Sequence, residues 1–564
     1  MKFVDTDLLI IGAGAAGCFA AIRASDFTKN VVLLEKATLR SGGNLSIGHF
    51  SSMINPMTNL PGSPNSKQFV EGYLSSSSGQ TGVESPMDKY IIAEEIIDRT
   101  KQLEKWGLKF VEKKEDGTWG YFWNYRIGER MESGAPVKGG TIKPALIGEL
   151  IRRGLKVYER TMAIDLLTYN GRVVGTVGLN VRTGEIFGFK AKATILATGS
   201  TSRCYAPVPG KNWFWMRDMG TNTGDGRGMA LRAGADLTLM EFMRSDHMVG
   251  NVMSNTWGGI CVNTNGEEFL EETYEKRWSR VWAMHMEYLE GRAPCYWDSR
   301  NVSEEDRKAI LFKQGEKNYP DISLEQSIAQ RGLDPRKERA EIKLMPVGLL
   351  GGPEFDENGG TSLEGLYAVG DEVWQDSMCN AFVFGYRAGE AAAKYCLKAD
   401  ALTLDEEQVK AIDETIQALT RRREGVTPME IEEKIRTIMT YYANFHKTGG
   451  MLERGLELLL EIKEKLLPQL YAKNVHELMR AMEVRNILAV AEMHIRSALM
   501  RTESRVGGRH FHHRLDFPDP DSEWYRQRIS IRMENGEMKL YRKLAPEQRV
   551  PTREDYEAIR EVQP

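Results

Sequence analysis

Several things are missing from this 564-residue chain, and each absence narrows what it can be. Its six cysteines, Cys18, Cys204, Cys261, Cys295, Cys379 and Cys396, are scattered, and none stands in a CxxC pair. They form neither a disulfide framework nor an iron–sulfur ligand set, and most are expected to be small buried apolar residues. Any iron–sulfur cluster that works with this chain is therefore expected on another polypeptide. No apolar run approaches 18 residues, no twin-arginine signal appears, and Asp5 and Asp7 interrupt any signal-peptide core. Charge of one sign is also missing: 75 basic residues stand against 79 acidic ones, a net charge of −4. Nothing argues for nucleic acid, and the expectation is a soluble cytoplasmic protein without direct membrane insertion. The length suggests two to four domains.

The most informative stretch present is residues 7–35. An apolar run, Leu8 to Ile11, breaks at Gly12-Ala-Gly14-Ala-Ala-Gly17, helix formers follow, and a second apolar run ends in Glu35. That is strand, tight turn, helix, strand, acid. Gly12 permits the turn, Gly14 lets backbone N–H groups approach a pyrophosphate, and Gly17 lets helix and strand pack closely. The helix N-terminus offers its partial positive charge to the phosphates. Glu35 falls where an acid is expected to meet a ribose. A glycine-rich turn without a ligand is the alternative, and the surrounding context argues against it.

Downstream, residues 88–106 and Ile142 to Arg152 read as helices, and residues 117–140 as loops. Asn170-Gly171 and Thr183-Gly184 are hairpin signals within 157–196. Ala193-Thr-Ile-Leu-Ala-Thr-Gly199 is a buried strand running into a glycine. Asn222 to Gly234 reads as a glycine turn leading into a helix. Gly365-Leu-Tyr-Ala-Val-Gly-Asp371 is another short strand, followed by a small-residue helix from Ala381 to Ala393. Residues 235–350 interrupt this nucleotide-binding pattern. In the last third, Val409 to Leu419, Leu452 to Leu460 and Met482 to Leu499 keep helical spacing and read as a packed bundle. A hairpin is expected around Asn535-Gly536.

These segments together resemble the flavoprotein subunits of the succinate dehydrogenase and fumarate reductase superfamily, and within it the adenylylsulfate reductase alpha subunits. The resemblance rests on IIGAGAAG, Glu35, Arg40-Ser-Gly-Gly43, ATILATGS, TNTGDGRGMALRAGADL, GLYAVGD and FVFGYRAGEAAA. Thr502-Glu-Ser-Arg505 with Arg514-Leu-Asp-Phe-Pro518 and Trp524 adds a C-terminal signature. It implies an α/β fold: a Rossmann-like FAD-binding domain split by an inserted α+β capping domain, then a C-terminal helical domain. The expected boundaries are 1–234 and 352–400 for FAD binding, 235–351 for the cap, 401–505 for the helices and 506–564 for a C-terminal extension. FAD contacts are expected at Gly12, Gly14, Ala15, Ala16, Gly17, Glu35, Lys36, Ser41, Gly42, Gly43, Asn44, Ala197, Thr198, Gly199, Asp225, Gly370, Asp371 and Asn380. Asp225 would lie near the adenine end and Asp371 near the ribityl–phosphate region. Membrane-bound relatives carry a flavin-linking histidine where this chain has Gly42, so FAD is expected to be non-covalent.

The departures bear on substrate. Trp257-Gly-Gly-Ile-Cys261 lacks the Thr-Glu-Gly stretch of dicarboxylate enzymes. Pro346-Val-Gly-Leu-Leu-Gly-Gly352 stands in place of their histidine, and Asp376-Ser-Met-Cys-Asn380 lacks their arginine. A dicarboxylate needs two cationic clamps, and the usual ones are absent. Arg244, Asp246 and His247 fall near the flavin by resemblance; Arg holds anions bidentately and His moves protons. The alternative is a surface ion-pair cluster. Arg280 is the positional match for a proton-delivering arginine, against the reading that it is solvated on a helix with packed tryptophans. Lys143-Pro144 is either near the substrate pocket or a simple helix start. His510-Phe-His-His-Arg514 suggests metal only superficially, and a role near the flavin or a partner is expected instead, with no metal site.

The leading function is an FAD-dependent oxidoreductase subunit of adenylylsulfate-reductase type. It would act on a small anionic substrate at flavin N5 and exchange electrons with a ferredoxin-like iron–sulfur subunit in a hetero-oligomer. Reduction of an activated C=C bond in an organic acid is the alternative enzyme. A flavin electron-transfer subunit without its own substrate is the non-enzyme alternative.

Overall fold

The computed structural model describes the chain apart from residues 48–52, 55–56, 62, 77–80, 111–112, 114, 116–118, 120–121, 127–129, 138–139, 207–218, 249–258, 270–279, 304–333, 335, 374–376, 401, 508–509 and 561–564. For residues 47, 53, 122–126, 130–134, 136, 246–248 and 280 only the backbone is described.

The central element is strand β1, Lys2–Ile11, whose last four residues are all buried. It is followed by helix α1, Ala15–Ala24, and strand β2, Val31–Glu35. β1 pairs in parallel with β2 and with the strand Ile186–Leu196, and β2 pairs in parallel with Lys156–Glu159. Arg172–Asn180 and Thr161–Tyr169 extend the sheet antiparallel on the far side of Ile186–Leu196. Leu366–Ala368 pairs in parallel with the end of that strand, giving seven strands. Alternation then sorts the side chains: Leu8, Ile10, Val31 and Leu33 face one core, and Leu9, Ile11, Val32 and Leu34 the other. Burial on both faces explains why these strands read as continuous apolar runs.

On the first face lies α1, covered by the helix Met378–Lys398. Ala16 and Ala20 sit beneath Gly385 and Gly389, where an added Cβ would come within 2.5 and 2.3 Å of their carbonyl oxygens. On the second face pack the helices Glu406–Arg421, Pro428–Tyr442, Gly449–Glu461 and Val475–Met500, through Ile431, Ile435, Leu452, Leu459, Met482 and Ile487.

The inserted segment builds a six-stranded sheet in the order Ile260–Val262, Cys295–Asp298, Ala340–Leu349, Met243–Met248, His510–His512, Arg505–Gly507. Its last two strands come from beyond the helical region, so the segment after residue 505 does not stand apart from the cap. The hairpin Gln527–Glu534 and Glu537–Leu544 joins Leu237–Thr238 and Gly352–Pro353 in a four-stranded sheet. Residues 117–140 contain an antiparallel pair, Phe122–Arg126 with Arg130–Pro136, rather than loops alone. Glycine, charge and aromatics at close spacing hid their alternation. Among the described residues no helix is long and apolar enough to cross a membrane.

Candidate functional site

The C-terminal ends of β1 and Ile186–Leu196 open onto a cleft with about 1100 Å³ of atom-free space, part of it open to solvent. It is lined by the glycine turn, the end of β2, residues 161–163, 197–199, 221–222 and 369–371, and the start of the helix Met378–Lys398. A cleft at strand ends is where an open α/β sheet takes a ligand.

The three glycines of the turn do different work. Gly12 has φ +105°, a conformation that L side chains rarely adopt, and a Cβ there would lie 2.3 Å from the Ala197 carbonyl oxygen. A Cβ on Gly17 would sit 1.9 Å from the Gly12 carbonyl oxygen, so helix and turn touch through it. Gly14 is the helix N-cap, and a Cβ there would meet nothing within 4 Å. Its open side is the cleft. These residues fit a dinucleotide diphosphate: a bare backbone, a helix N-terminus and free volume in front of both. Beneath the turn, buried Lys143 donates from Nζ to the Ala13 carbonyl at 2.5 Å. Lys143 therefore braces the turn from the first turn of the helix Ile142–Arg152.

Glu35 ends β2 with its carboxylate accepting the Ala13 N–H at 2.9 Å and the Ala37 N–H at 2.8 Å. A carboxylate has about four lone-pair positions, so acceptance remains for ribose hydroxyls in the cleft. Gly42 packs directly on this carboxylate: a Cβ there would lie 2.4 Å from Glu35 Cδ. No side chain fits at position 42 unless Glu35 moves.

Lys36 reaches from the cleft wall to Asp225 at 2.8 Å, Thr223 at 2.9 Å and Glu483 at 3.0 Å. Burial opposes its charge, but Asp225 and Glu483 outweigh burial and hold its pKa above the ordinary lysine value. Asp225 also accepts from Thr223 and from the Asn486 amide at 2.9 Å. Glu483 binds Arg203 at 2.8 Å, and Arg203 binds Glu432 at 2.6 Å. Burial pushes Glu483 up, yet Arg203, Lys36 and Arg480 together bring it down to about 2. A buried ion chain thus ties the far end of the cleft to the helices Pro428–Tyr442 and Val475–Met500.

Gly43, Asn44, Ala15, Ala16, Ala197, Thr198, Gly199, Gly370 and Asp371 all line the cleft. The Asn44 amide lies 3.4 Å from the Asp371 carboxylate. Gly17 and Gly42 shape the cleft from behind. Ser41 bonds Thr38 at 2.6 Å, and the Asn380 amide turns to Ser377 Oγ at 2.8 Å in the N-cap of its helix. Neither Ser41 nor Asn380 lies on the lining.

Arg244 lines the same cleft and is buried. It lies on the strand Met243–Met248 beside a register shift between Arg244 and Ser245, opposite Gly348 on one side and His510 on the other. The strand thus brings a guanidinium to this cleft. Asp246 and His247 follow on that strand, opposite Met345 and Leu344, and Arg280 begins the helix Arg280–Leu289. The side chains of Asp246, His247 and Arg280 are outside the described residues, as are Trp257, Gly258 and Asp376.

The histidine run diverges. His510 Nδ1 sits 3.2 Å from the Glu84 carboxylate, His512 Nδ1 3.3 Å from the Glu241 carbonyl, and His513 Nδ1 3.3 Å from His285 Nε2. Among the described residues no group of three or more His, Cys, Asp or Glu is arranged to hold a metal ion.

Two residues at the cleft escaped the sequence reading. Arg227 is wholly buried and donates to Thr201 Oγ1 and to the carbonyls of Leu349, Asp371 and Glu372. It straps the end of a cap strand to the turn that carries Asp371. Glu372 is wholly buried behind that turn and accepts from Thr198 N–H at 3.0 Å and from the Thr198 hydroxyl. Arg227 sits inside one glycine-rich motif and Glu372 directly follows another, but nothing in their spacing says they turn inward.

The FAD binding domain family matches residues 7–389, and the C-terminal domain family of fumarate reductase flavoproteins matches residues 432–556. The chain is 27% identical to one subunit of the fumarate reductase (CoM/CoB) of Methanothermobacter marburgensis, covering 93% of this chain and 97% of that protein. Among solved structures it is similar to adenylylsulfate reductase of Archaeoglobus fulgidus, with a TM-score of 0.83, 24% identity and 97% of each chain covered. A quinol fumarate reductase of E. coli aligns with a TM-score of 0.81 and 22% identity over 98% of each chain. The two structural likenesses are likenesses of fold.

Proposed function

We propose that this chain, which belongs to the FAD binding domain family of flavoproteins, is the flavin-bearing subunit of an oxidoreductase acting on a small anion at flavin N5. It is an FAD-dependent oxidoreductase of the fumarate reductase and succinate dehydrogenase type; the substrate, the partner and the residue roles are the proposal. FAD supplies two-electron chemistry at N5, and the protein binds and orients it. The Gly14 backbone and α1 N-terminus take the diphosphate, Glu35 the ribose, and Asn44 and Asp371 the middle of the cofactor. FAD is held without a covalent bond, because Gly42 offers no side chain to form the link.

One observation carries the substrate reading: Arg244, a buried cation from the cap, lines the cofactor cleft. A guanidinium there holds an anionic substrate by paired N–H donors. His247, three residues on, and Arg280 are the proposed proton carriers to the reacting atom. An activated sulfur anion is the first candidate, supported by the missing dicarboxylate clamps: Asn380, at the end of the stretch that lacks the family arginine, is bonded to Ser377. Reduction of a C=C bond in an organic acid is the second, favoured by the name of the 27% identical relative. Electrons are exchanged with an iron–sulfur subunit in a hetero-oligomer. That relative is named as one part of a multi-subunit enzyme, which supports a partner, and the six cysteines, all buried and none in a disulfide, suit small apolar residues rather than cluster ligands.

The test is turnover by the flavin-loaded chain, with a viologen dye replacing the partner. Reduction of adenylylsulfate, but not fumarate, supports the first reading. Fumarate reduction selects the second. Activity with neither, together with rapid stoichiometric flavin reduction by NADH or NADPH, would overturn the iron–sulfur route and the anion reading together.

A further inference from the structure

Behind the wall of the cleft lies a carboxyl that the proposed chemistry does not use. Glu372 is 0% exposed. Its Oε2 takes both the N–H and the hydroxyl of Thr198, while Thr198 Oγ1 accepts the Gly226 N–H at 3.0 Å. Its Oε1 is buried with no hydrogen-bond partner. Glu372 is packed so tightly on the helix start that a Cβ on Gly226 would lie 2.4 Å from Oε2 and 2.5 Å from Oε1. The residues around it, Thr198, Gly199, Asp225, Gly370 and Asp371, all line the cleft.

The charges facing Glu372 come from three sides. The helix Asp225–Ala233 brings Arg227 and Asp225, its own turn brings Asp371, and Lys36 and Glu483 stand beyond Asp225. Arg227 is the nearest cation, yet its N–H groups go to carbonyls and to Thr201, none to the Glu372 carboxylate. Lys36 is occupied by Asp225 and Glu483. Glu372 is therefore a buried acid with an unsolvated oxygen, among acids, behind Thr198 and Asp371 of the cleft lining. A diphosphate on the other side adds two further negative charges.

We propose that Glu372 couples FAD binding to the uptake of one proton, the carboxyl being neutral whenever the diphosphate is in place. The chemistry is a proton transfer from solvent to one carboxylate oxygen; no other bond changes. Burial pushes this carboxyl up to about 7, with Arg227 pulling against it and Asp225 adding to it, so the empty protein is partly ionised near neutrality. Above that pH, binding must drive protonation, and the apparent Kd for FAD rises by up to about tenfold per pH unit. Below it, Kd is flat. The proposal rests on the cleft being the FAD site.

Flavin-free full-length protein, titrated with FAD from pH 6 to 9 by fluorescence quenching, tests it. The wild type is expected to weaken progressively above about pH 7, while Glu372→Gln binds with the same Kd across the range. Calorimetry of the wild type in two buffers of different ionisation enthalpy gives a second readout, with 0.5 to 1 proton taken up per FAD near pH 8, roughly the linkage expected of one titrating group. Parallel pH dependence in both proteins overturns the proposal. If Glu372→Gln does not fold, absence of proton uptake by the wild type overturns it instead. Failure of the cleft assignment looks different: FAD then binds unaffected by a side chain placed at Gly14.

Discussion

Gly14→Val separates binding from folding, because Gly14 and Gly17 lie three residues apart in one motif and face opposite environments. Gly14 has φ −70° and ψ −167°, an extended conformation that valine favours, and open space where its Cβ would stand. Valine is a poorer N-cap than glycine, by about 1 kcal/mol. The flavin-free variant should therefore fold almost normally. Bound FAD loses more. The side chain fills the volume in front of the helix N-terminus, so a diphosphate can no longer reach the backbone N–H groups. Two such charge-assisted bonds, at about 1.5–3 kcal/mol each, amount to about 3–6 kcal/mol, or roughly 10²- to 10⁴-fold in Kd. Gly17→Val behaves oppositely, since its Cβ lands 1.9 Å from the Gly12 carbonyl oxygen and the turn itself must move. The assay is flavin content per chain after purification, FAD titration of flavin-free protein, and thermal unfolding of both variants. Full flavin content in Gly14→Val, or equal loss of fold in both, would refute the reasoning.

Acid precipitation of the loaded wild type should release all flavin into the supernatant; yellow colour retained in the pellet would refute non-covalent binding. Arg244→Ala and Arg280→Ala should each lower turnover by roughly 10²-fold or more with flavin content unchanged, the scale of a lost catalytic donor; activity within a factor of two of wild type removes the residue from the proposed site. Stability should fall in acid. Glu483 has a folded-state pKa of about 2 against an ordinary value of 4.5, so its contribution, on the order of 3 kcal/mol, is full above pH 4.5 and lost between 4.5 and 2. Chemical denaturation at stepped pH should show this slope, and Glu483→Gln should flatten it.

What could be read from the sequence was what is encoded locally. Gly12, Gly14, Gly17 and Glu35 announce themselves by spacing, because a turn and the helix it starts are set by neighbours in the chain. The hairpin turns at Asn170-Gly171 and Asn535-Gly536 are likewise where dipeptide chemistry puts them. What could not be read depends on residues hundreds of positions apart. Lys36 and Asp225 are expected cofactor contacts by resemblance, but Glu483, which joins them from a third distant stretch of the chain, resembles an ordinary solvated charge as sequence. Lys143 under Ala13, and Glu372 under Gly226, are likewise packing outcomes with no periodic trace. The strands Arg505–Gly507 and His510–His512 are three residues each, too short to show alternation, so their place in the cap sheet was hidden.

That last arrangement sets an order of events during synthesis. The seven-stranded sheet lacks Leu366–Ala368 until two-thirds of the chain has been made, and the cap lacks two strands until residue 512. A ribosome releases the chain N-terminus first, at about 5–20 residues per second. For tens of seconds, then, β1, α1 and β2 stand ready while the elements that enclose the cleft are still untranslated. A dinucleotide meeting this intermediate finds a turn without walls. Cofactor loading therefore waits at least for Ala381, the last residue of the cleft wall to be made, and a C-terminal truncation before residue 365 should yield an open, flavin-poor protein even though every glycine of the binding turn is intact.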